Sequence, residues 1–253
     1  MSLNFPFAVE LAGRYSPPPG RLLDFGCGKA DVAALALAQG YDAYGVDTFL
    51  GVGDSADNLE IARESIGDRV RTMRPDEPIP FDSGTFDVVV SNQVFEHIRD
   101  LAPTIDELAR ILRQGGTLIA LMPTREVLWE DHLKMPLVHL ASLGSERQRL
   151  LMSTMYRLGF GRGRERPEGI WIEDAIADIG ANIFHRTAPD YIEQLSRKFR
   201  IQSEAEPAWA RYRIERHRLL GRAAPLAAFR GLDGILRYVV RRAAGSVLVL
   251  QRL

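Results

Sequence analysis

Short apolar runs alternate with amphipathic stretches through the first half of the chain. The apolar runs have the length of buried strands and lie at residues 22–25, 41–46, 88–90 and 117–122. The stretches between them carry apolar residues at helical spacing and lie at residues 31–39, 57–66 and 105–112. Because alternating strands and helices build parallel crossovers, this order predicts an α/β fold with a doubly wound parallel sheet.

Helical periodicity dominates the second half of the chain. We expect helices at residues 129–143, 171–179, 189–199, 208–220 and 226–243, and strands at 200–205 and 246–250. In the 226–243 stretch, one helix face collects Leu226, Phe229, Leu232, Leu236, Val239 and Val240. We expect that face to pack against the rest of a single domain that spans residues 1–253.

A glycine turn joins the first predicted strand to the first long helix. Gly26 and Gly28 flank Cys27, and Asp47 ends the second strand. Glycine lets the backbone approach a ligand closely, and a carboxylate at the strand tip can accept hydrogen bonds from two ribose hydroxyls. The unit therefore predicts a site for a nucleoside-bearing cofactor, in which Cys27 is a small turn residue rather than a nucleophile.

The acidic residues around this turn favour one cofactor over another. The dinucleotide fingerprint has a third glycine at the position that Asp31 occupies here, at the start of the helix where a pyrophosphate would sit. Asp24 adds a second negative charge just before the turn. An acidic glycine loop suits a ligand with an ammonium and a sulfonium, so the sequence predicts S-adenosylmethionine.

Composition and charge narrow the picture further. The chain has 253 residues, one cysteine, no basic-apolar leader and no apolar run of membrane-spanning length, so we expect a cytoplasmic domain without a disulfide. Residues 1–100 carry 8 Lys and Arg and 16 acidic residues, whereas residues 207–253 carry 10 Arg and 2 acidic residues. The basic end could face an anionic partner or substrate.

Polar residues follow the predicted strand at 88–90, where open α/β sheets bind ligands. They include Asn92, Glu96 and His97. His97 is the best candidate for a general base, because an imidazole titrates near neutral pH, and Glu96 could orient it or bind substrate. A structural hydrogen bond at a helix start is the other interpretation of His97.

These segments together resemble one family. Within residues 20–124 the chain contains DFGCGKA, the GVD strand end, IPFDSGTFDVVVSNQVFEHI and LARILRQGGTLIALMPT. These segments are similar to those of class I S-adenosylmethionine-dependent methyltransferases. The resemblance is to the small-molecule branch that includes quinone-biosynthesis enzymes. It implies a Rossmann-like sheet of seven strands, mostly parallel with an antiparallel last strand. Ala30, in place of a third glycine, and an extended loop at residues 48–56 depart from the family pattern.

The resemblance also implies roles for individual residues. Asp24, Gly26 and Gly28, with Cys27 between the glycines, would hold the methionine part of the cofactor. Asp47 would bind the ribose hydroxyls, Asp76 the adenine amino group, and Asn92 would approach the cofactor from the fourth strand. Glu96 and His97 would face the substrate. Residues 125–187 and 207–243 would be helical insertions on the substrate side, the first of them a lid.

The expected activity is methyl transfer by direct displacement to a small-molecule, lipid-linked or glycan-linked acceptor. Two alternatives stay open. One is a non-catalytic S-adenosylmethionine-binding partner protein. The other is a nicotinamide-dependent oxidoreductase, although Asp31 at the position of the third fingerprint glycine argues against it.

Further interpretations concern the second half. His132 and His139 lie seven residues apart, but Pro136 interrupts the helix between them, so we expect no metal site. Six arginines between residues 147 and 166 indicate either a solvated surface or a pocket for an acidic substrate. The basic amphipathic stretch at 226–243 could contact a membrane peripherally. No nucleic-acid-binding motif is present, and we expect no nucleic-acid partner.

Overall fold

The computed structural model describes residues 2–50, 56–218 and 220–253, and in these ranges the chain builds one large sheet and a small ribbon. The strands are β1 (Arg21–Phe25), β2 (Asp42–Asp47), β3 (Val70–Thr72), β4 (Phe86–Asn92), β5 (Leu112–Met122), β6 (Trp129–Glu130), β7 (Met135–Pro136), β8 (Phe199–Glu204) and β9 (Ser246–Arg252). Seven of them form the sheet in the order β3-β2-β1-β4-β5-β9-β8, and β6 pairs with β7.

The directions of the strands confirm the predicted fold class. Strands β1 to β5 pair in parallel, whereas β9 is antiparallel to both β5 and β8. The sheet is therefore doubly wound and mostly parallel, with an antiparallel last strand. Strands β1 and β4 lie side by side at its centre, and ligands bind beyond the carboxyl ends of such central strands.

Helices cover both faces of the sheet. They are α1 (Asn4–Tyr15), α2 (Asp31–Ala38), α3 (Ala56–Ile66), α4 (Leu101–Ile111), α5 (Glu146–Arg157), α6 (Glu168–Asn182), α7 (Ala188–Leu195), α8 (Glu206–Arg216), α9 (Ala224–Ala227) and α10 (Asp233–Ala243). The core on one face of the sheet contains residues of α1, α2, α3, α8 and α10, and the core on the other contains residues of α4 and α7. The amphipathic pattern of each of these helices thus buries one stripe against the strands.

The predicted helix at residues 129–143 is wrong. These residues form the β6–β7 ribbon, followed by a short 3-10 helix at Val138–Leu140. Pro136 cannot donate the backbone hydrogen bond that a helix interior needs, and Lys134 and Leu137 both adopt a positive φ. The ribbon packs with α5 and α6 around a separate apolar core that includes Met135, Met152 and Trp171.

The predicted helix at residues 226–243 is also wrong, because it is interrupted. Helix α9 ends at Ala227, a 3-10 turn occupies Arg230–Leu232, and α10 begins at Asp233. Phe229 has extended backbone, and its ring lies over Gly231, a poor helix former. Within the described residues, no helix combines the length and apolarity that crossing a membrane requires.

Candidate functional site

The glycine turn after β1 is tied to β2 by its backbone. The N–H groups of Gly26 and Cys27 both donate to the carbonyl of Val46, at 2.8 and 3.1 Å. Gly26 has a φ of +73°, and a Cβ there would lie 2.3 Å from the Val94 side chain. Gly28 has a φ of +48°, and a Cβ there would have no described atom within 4 Å apart from those of its two chain neighbours. Gly26 therefore allows close packing, whereas Gly28 borders open space where a ligand can approach.

Ala30, which departs from the family pattern, occupies the left-handed region that glycine usually fills. Its φ is +61°, its N–H donates to the carbonyl of Cys27 at 2.7 Å, and its methyl group is buried. Left-handed backbone costs a residue with a Cβ about 1–2 kcal/mol. The turn keeps its shape despite alanine because the packed core around it holds the backbone in place.

Asp24 is a buried acid at the centre of the site. Its Oδ2 accepts a hydrogen bond of 3.2 Å from the backbone N–H of Ala33, in the first turn of α2. Burial raises the pKa of Asp24 to about 7, a rise that the Ala33 hydrogen bond opposes and the nearby Asp47 charge reinforces. Near neutral pH this carboxyl is therefore poised between its two states, and a cationic group placed beside it would favour the carboxylate.

Asp47 connects the end of β2 to the glycine turn. Its Oδ2 accepts the N–H of Gly28 and its Oδ1 accepts the N–H of Phe49, both at 2.9 Å. The backbone carbonyl of Asp47 accepts the N–H of Met73 after β3. Each carboxylate oxygen has a further lone pair, so this carboxylate can still receive two ligand hydroxyls.

The other two predicted cofactor residues, Asp76 and Asn92, lie after β3 and at the end of β4. Asp76 is exposed in the turn that follows β3. Asn92 lies at the end of β4, where its Oδ1 accepts a hydrogen bond of 3.3 Å from Asn4 of α1, and Asn4 Oδ1 in turn accepts one from Trp209. Part of the extended loop predicted at residues 48–56, residues 51–55, is outside the described residues.

Glu96 and His97 form a short 3-10 helix after β4. The Glu96 side chain is 1% exposed, and neither carboxylate oxygen has a hydrogen-bond partner within the described parts of the chain. Burial raises the pKa of Glu96 to about 8. The Nδ1 of His97 lies 3.1 Å from the backbone carbonyl of Asn182 at the end of α6.

The first predicted insertion, residues 125–187 (hereafter the insertion), brings further polar groups to Glu96 and His97. His132, just after β6, stacks edge-on against the His97 ring with 5.3 Å between ring centroids, and its Nδ1 lies 2.8 Å from Glu130 Oε1. Although burial opposes it, hydrogen bonds from His132 and the Leu133 N–H, with His185 nearby at 3.8 Å, hold the pKa of Glu130 well below its usual range.

Sequence reasoning missed Glu130, His132 and His185 as members of this site. The only signal was the Glu-x-His spacing at residues 130 and 132, and two-residue strands are too short to show a periodicity.

The arginines between residues 147 and 166 mostly serve the insertion itself. Arg149 pairs with Glu173 at 2.7 Å, Arg157 pairs with Glu168 at 3.0 Å, and Arg166 pairs with Asp174. These pairs join α5 and the loop after it to α6. The surface interpretation of this stretch therefore fits better than a pocket for an acidic substrate.

A glycine turn between two acidic strand ends, on a sheet of this order, defines a Rossmann-like domain that binds a nucleoside cofactor. The profile of the family described as "Methyltransferase domain" matches residues 5–157. The chain belongs to the S-adenosylmethionine-dependent methyltransferase family, which confirms the resemblance found in its sequence and the cofactor that the resemblance implies.

Individual relatives are consistent with that family. An uncharacterized methyltransferase of Mycobacterium tuberculosis is 32% identical over 139 residues, covering 50% of this chain and 54% of the relative. A demethylmenaquinone methyltransferase of Thermus thermophilus is 33% identical over 120 residues, covering 45% and 51%. The chain thus spans about half the length of these curated relatives. A methyltransferase structure from Mesorhizobium loti superposes with a TM-score of 0.58 at 17% identity, covering 99% of this chain and 98% of the other, which reflects a shared fold.

Proposed function

We propose that the protein transfers the methyl group of S-adenosylmethionine to a lipid-linked acceptor at a membrane surface. The cofactor half of this proposal rests on Asp24, Gly28 and Asp47. The carboxylate of Asp24 balances the positive charge of the methionine part, the open side of Gly28 admits it, and Asp47 accepts the two ribose hydroxyls.

Methyl transfer needs little covalent participation from the protein. The acceptor attacks the methyl carbon, the electrons of the breaking carbon–sulfur bond stay on sulfur, and neutral S-adenosylhomocysteine remains. The chain must align the acceptor opposite the sulfur and exclude water. For an acceptor hydroxyl, Nε2 of His97 is the proposed base, because the Asn182 carbonyl can only accept and so keeps the proton on Nδ1.

The acceptor half of the proposal rests on the outer face of α10. Ile235, Tyr238 and Val239, at helical spacing along one side, are all more than half exposed. Leu226 and Phe229 precede them in sequence and are 74% and 69% exposed. The predicted packing of the 226–243 face is thus wrong for Leu226, Phe229 and Val239, which are all more than half exposed. Apolar side chains exposed together on one helix face are typical of a binding surface.

Backbone hydrogen bonds connect this face to the candidate site. Leu128 N–H donates to the Arg242 carbonyl at the end of α10, and Leu137 N–H donates to the Leu128 carbonyl. Leu128 and Trp129 are themselves exposed, and Glu130 and His132 follow directly. An acceptor that stays partly in a lipid layer would therefore have a short path to Glu96 and His97.

The charge around this face indicates which kind of membrane it would bind. Arg218, Arg222 and Arg230 are exposed in the C-terminal segment, residues 207–253. This segment contains only two acidic residues, and one of them, Asp233, pairs with Arg211. Apolar side chains flanked by arginines suit the interface of an anionic bilayer. The quinone chemistry named for the Thermus relative is consistent with an amphiphilic acceptor.

Vesicle sedimentation tests the acceptor side of the proposal. We expect the protein to sediment with phosphatidylglycerol vesicles, more weakly with phosphatidylcholine vesicles, and at least tenfold less when Ile235, Tyr238 and Val239 are all replaced by Ser. The matched control replaces Leu150, Leu158 and Ile170, which are equally exposed on the insertion, and should leave sedimentation unchanged. Equal sedimentation of both triple variants, or none with any vesicle, would contradict the proposal.

A further inference from the structure

Three side chains from two separate parts of the chain converge beside the proposed acceptor path. A carboxylate oxygen of Glu96 and one ring nitrogen each of His97 and His132 all lie within 4.8 Å of one another. Glu96 and His97 follow the central strand β4, whereas His132 comes from the β6–β7 ribbon. The ribbon's fold therefore completes a donor set that neither segment provides alone.

Both imidazoles are held in a tautomer that suits a ligand. His132 Nδ1 lies against the Glu130 carboxylate, and His97 Nδ1 lies against the Asn182 carbonyl. Both partners accept hydrogen bonds, so in a neutral ring Nδ1 carries the proton and Nε2 carries the lone pair. A carboxylate or carbonyl behind a histidine is the usual outer support of a histidine that binds a metal.

Glu96 supplies a carboxyl donor that lacks a hydrogen-bond partner. Both of its carboxylate oxygens are buried, and neither has a hydrogen-bond partner in the described parts of the chain. A buried carboxyl without partners is costly, and a cation would satisfy it. Nearby His132 stands close enough for electrostatic attraction, yet it forms no hydrogen bond with these oxygens.

We propose that Glu96, His97 and His132 bind a divalent first-row transition cation such as Zn²⁺. Two imidazoles and one carboxylate form a donor set for such ions and leave coordination positions open. A tetrahedral ion with metal–ligand distances of ~2.1 Å places its donor atoms ~3.4 Å apart. The donor atoms here lie within 4.8 Å of one another, so they need to approach by up to about 1.4 Å when the ion binds.

The site deepens the proposed function, on which its chemical role rests. An acceptor hydroxyl bound at an open position would lose its proton to solvent near neutral pH. Its oxygen would then form the new bond to the methyl carbon as the carbon–sulfur bond breaks. In the metal-bound protein, His97 would be a ligand, and the base would no longer be required.

Calorimetric titration of the untagged, chelator-treated protein with Zn²⁺ tests the site, with Mg²⁺ as the contrasting oxygen-preferring ion. We expect one Zn²⁺ per chain and at least hundredfold weaker binding of Mg²⁺. His132→Ala and Glu96→Gln should each weaken Zn²⁺ binding at least hundredfold, whereas His217→Ala, in the C-terminal segment, should not weaken it.

Two further measurements keep the outcomes distinct. Zn²⁺ should raise the melting temperature of the wild-type protein, and Co²⁺ should give a visible absorption band, so a variant that fails to fold does not leave the question open. If the wild-type protein does not bind Zn²⁺, or if all variants bind it equally well, the proposed metal site is overturned. S-adenosylmethionine titrated into the same metal-free protein reports on the proposed function separately, because its predicted contacts lie at Asp24, Gly28 and Asp47.

Discussion

Leu128 donates a backbone hydrogen bond of 2.8 Å to the carbonyl of Arg242, which joins the insertion to the last turn of α10. This one contact links the exposed apolar face of the C-terminal segment to the strand that carries Glu130. The proposed membrane surface and the proposed reaction site are thus neighbours in the fold, although more than 100 residues separate them in sequence. A lipid-linked acceptor would use both.

Replacing Asp47 tests the ribose assignment. Asp47→Ala removes the acceptor for the cofactor hydroxyls and for the Gly28 N–H, so we expect S-adenosylmethionine affinity to fall by ~1–3 kcal/mol. Asp82→Ala, an exposed acid before β4, is the control and should bind as the wild type does. Calorimetric titration measures both, and an unchanged affinity in Asp47→Ala would remove the ribose role. NADH titrated in parallel should produce no binding heat.

The two glycines of the turn should respond differently to alanine. At Gly26 the new methyl group would meet Val94 at 2.3 Å in left-handed backbone, so we expect a loss of ~1–3 kcal/mol of unfolding free energy. At Gly28 it would enter open space, so cofactor affinity should fall at least tenfold with a smaller loss of stability. Urea unfolding and calorimetry separate the two effects. Full cofactor binding by Gly28→Ala would show that the ligand approaches elsewhere.

The raised pKa of Asp24 predicts a pH dependence of cofactor binding. An acid with a pKa of about 7 is mostly protonated at pH 6, and a cationic ligand binds its carboxylate, so binding must release that proton. Affinity should therefore rise by about eightfold from about pH 6 to pH 7.5, with the proton visible as buffer-dependent heat. Asp24→Asn should abolish this slope. A flat profile in the wild-type protein would mean that Asp24 does not sense the ligand.

Two arginines of the C-terminal segment should separate stability from membrane binding. Arg241 pairs with Glu204 at 2.9 Å and with the fully buried Glu206 at 3.1 Å. Arg241→Ala leaves Glu206 without this partner and should destabilise the fold by ~3–5 kcal/mol, as expected when one member of a buried pair is removed. Arg230→Ala, at an exposed position, should change stability by less than ~0.5 kcal/mol but weaken sedimentation with anionic vesicles. Thermal unfolding and vesicle assays in parallel check both, and the reverse pattern would contradict these roles.

The cofactor half of the molecule could be predicted from sequence because its signals are local. The apolar runs have strand length, Gly26 and Gly28 directly follow β1, and Asp47 is the last residue of β2, so each signal is read from a few adjacent residues. The parallel direction of the strands then follows from the alternation of strands and helices. In the structure, Asp47 accepts a hydrogen bond from the N–H of Gly28 and so connects the end of β2 to the glycine turn.

The insertion could not be predicted in the same way. Its ribbon has two-residue strands, and Lys134 and Leu137 adopt positive φ without being glycine, so neither periodicity nor composition marks the turn. His132 reaches His97 only through that ribbon, a contact between residues with no fixed spacing. The break between α9 and α10 rests on Phe229 folding over Gly231, which the continuous apolar pattern of residues 226–243 conceals.

The destination of the methyl group tests the central proposal most directly. The purified protein would be incubated with S-adenosylmethionine labelled in its methyl group, with a total lipid extract in one reaction and a water-soluble metabolite extract in another. We predict label in the organic phase of the lipid reaction, and its loss both in Asp47→Ala and in the triple Ser variant of α10. Label found only among water-soluble products would contradict a lipid-linked acceptor. Label at the wild-type level in the lipid fraction for the triple variant would contradict the role of the α10 face in presenting that acceptor.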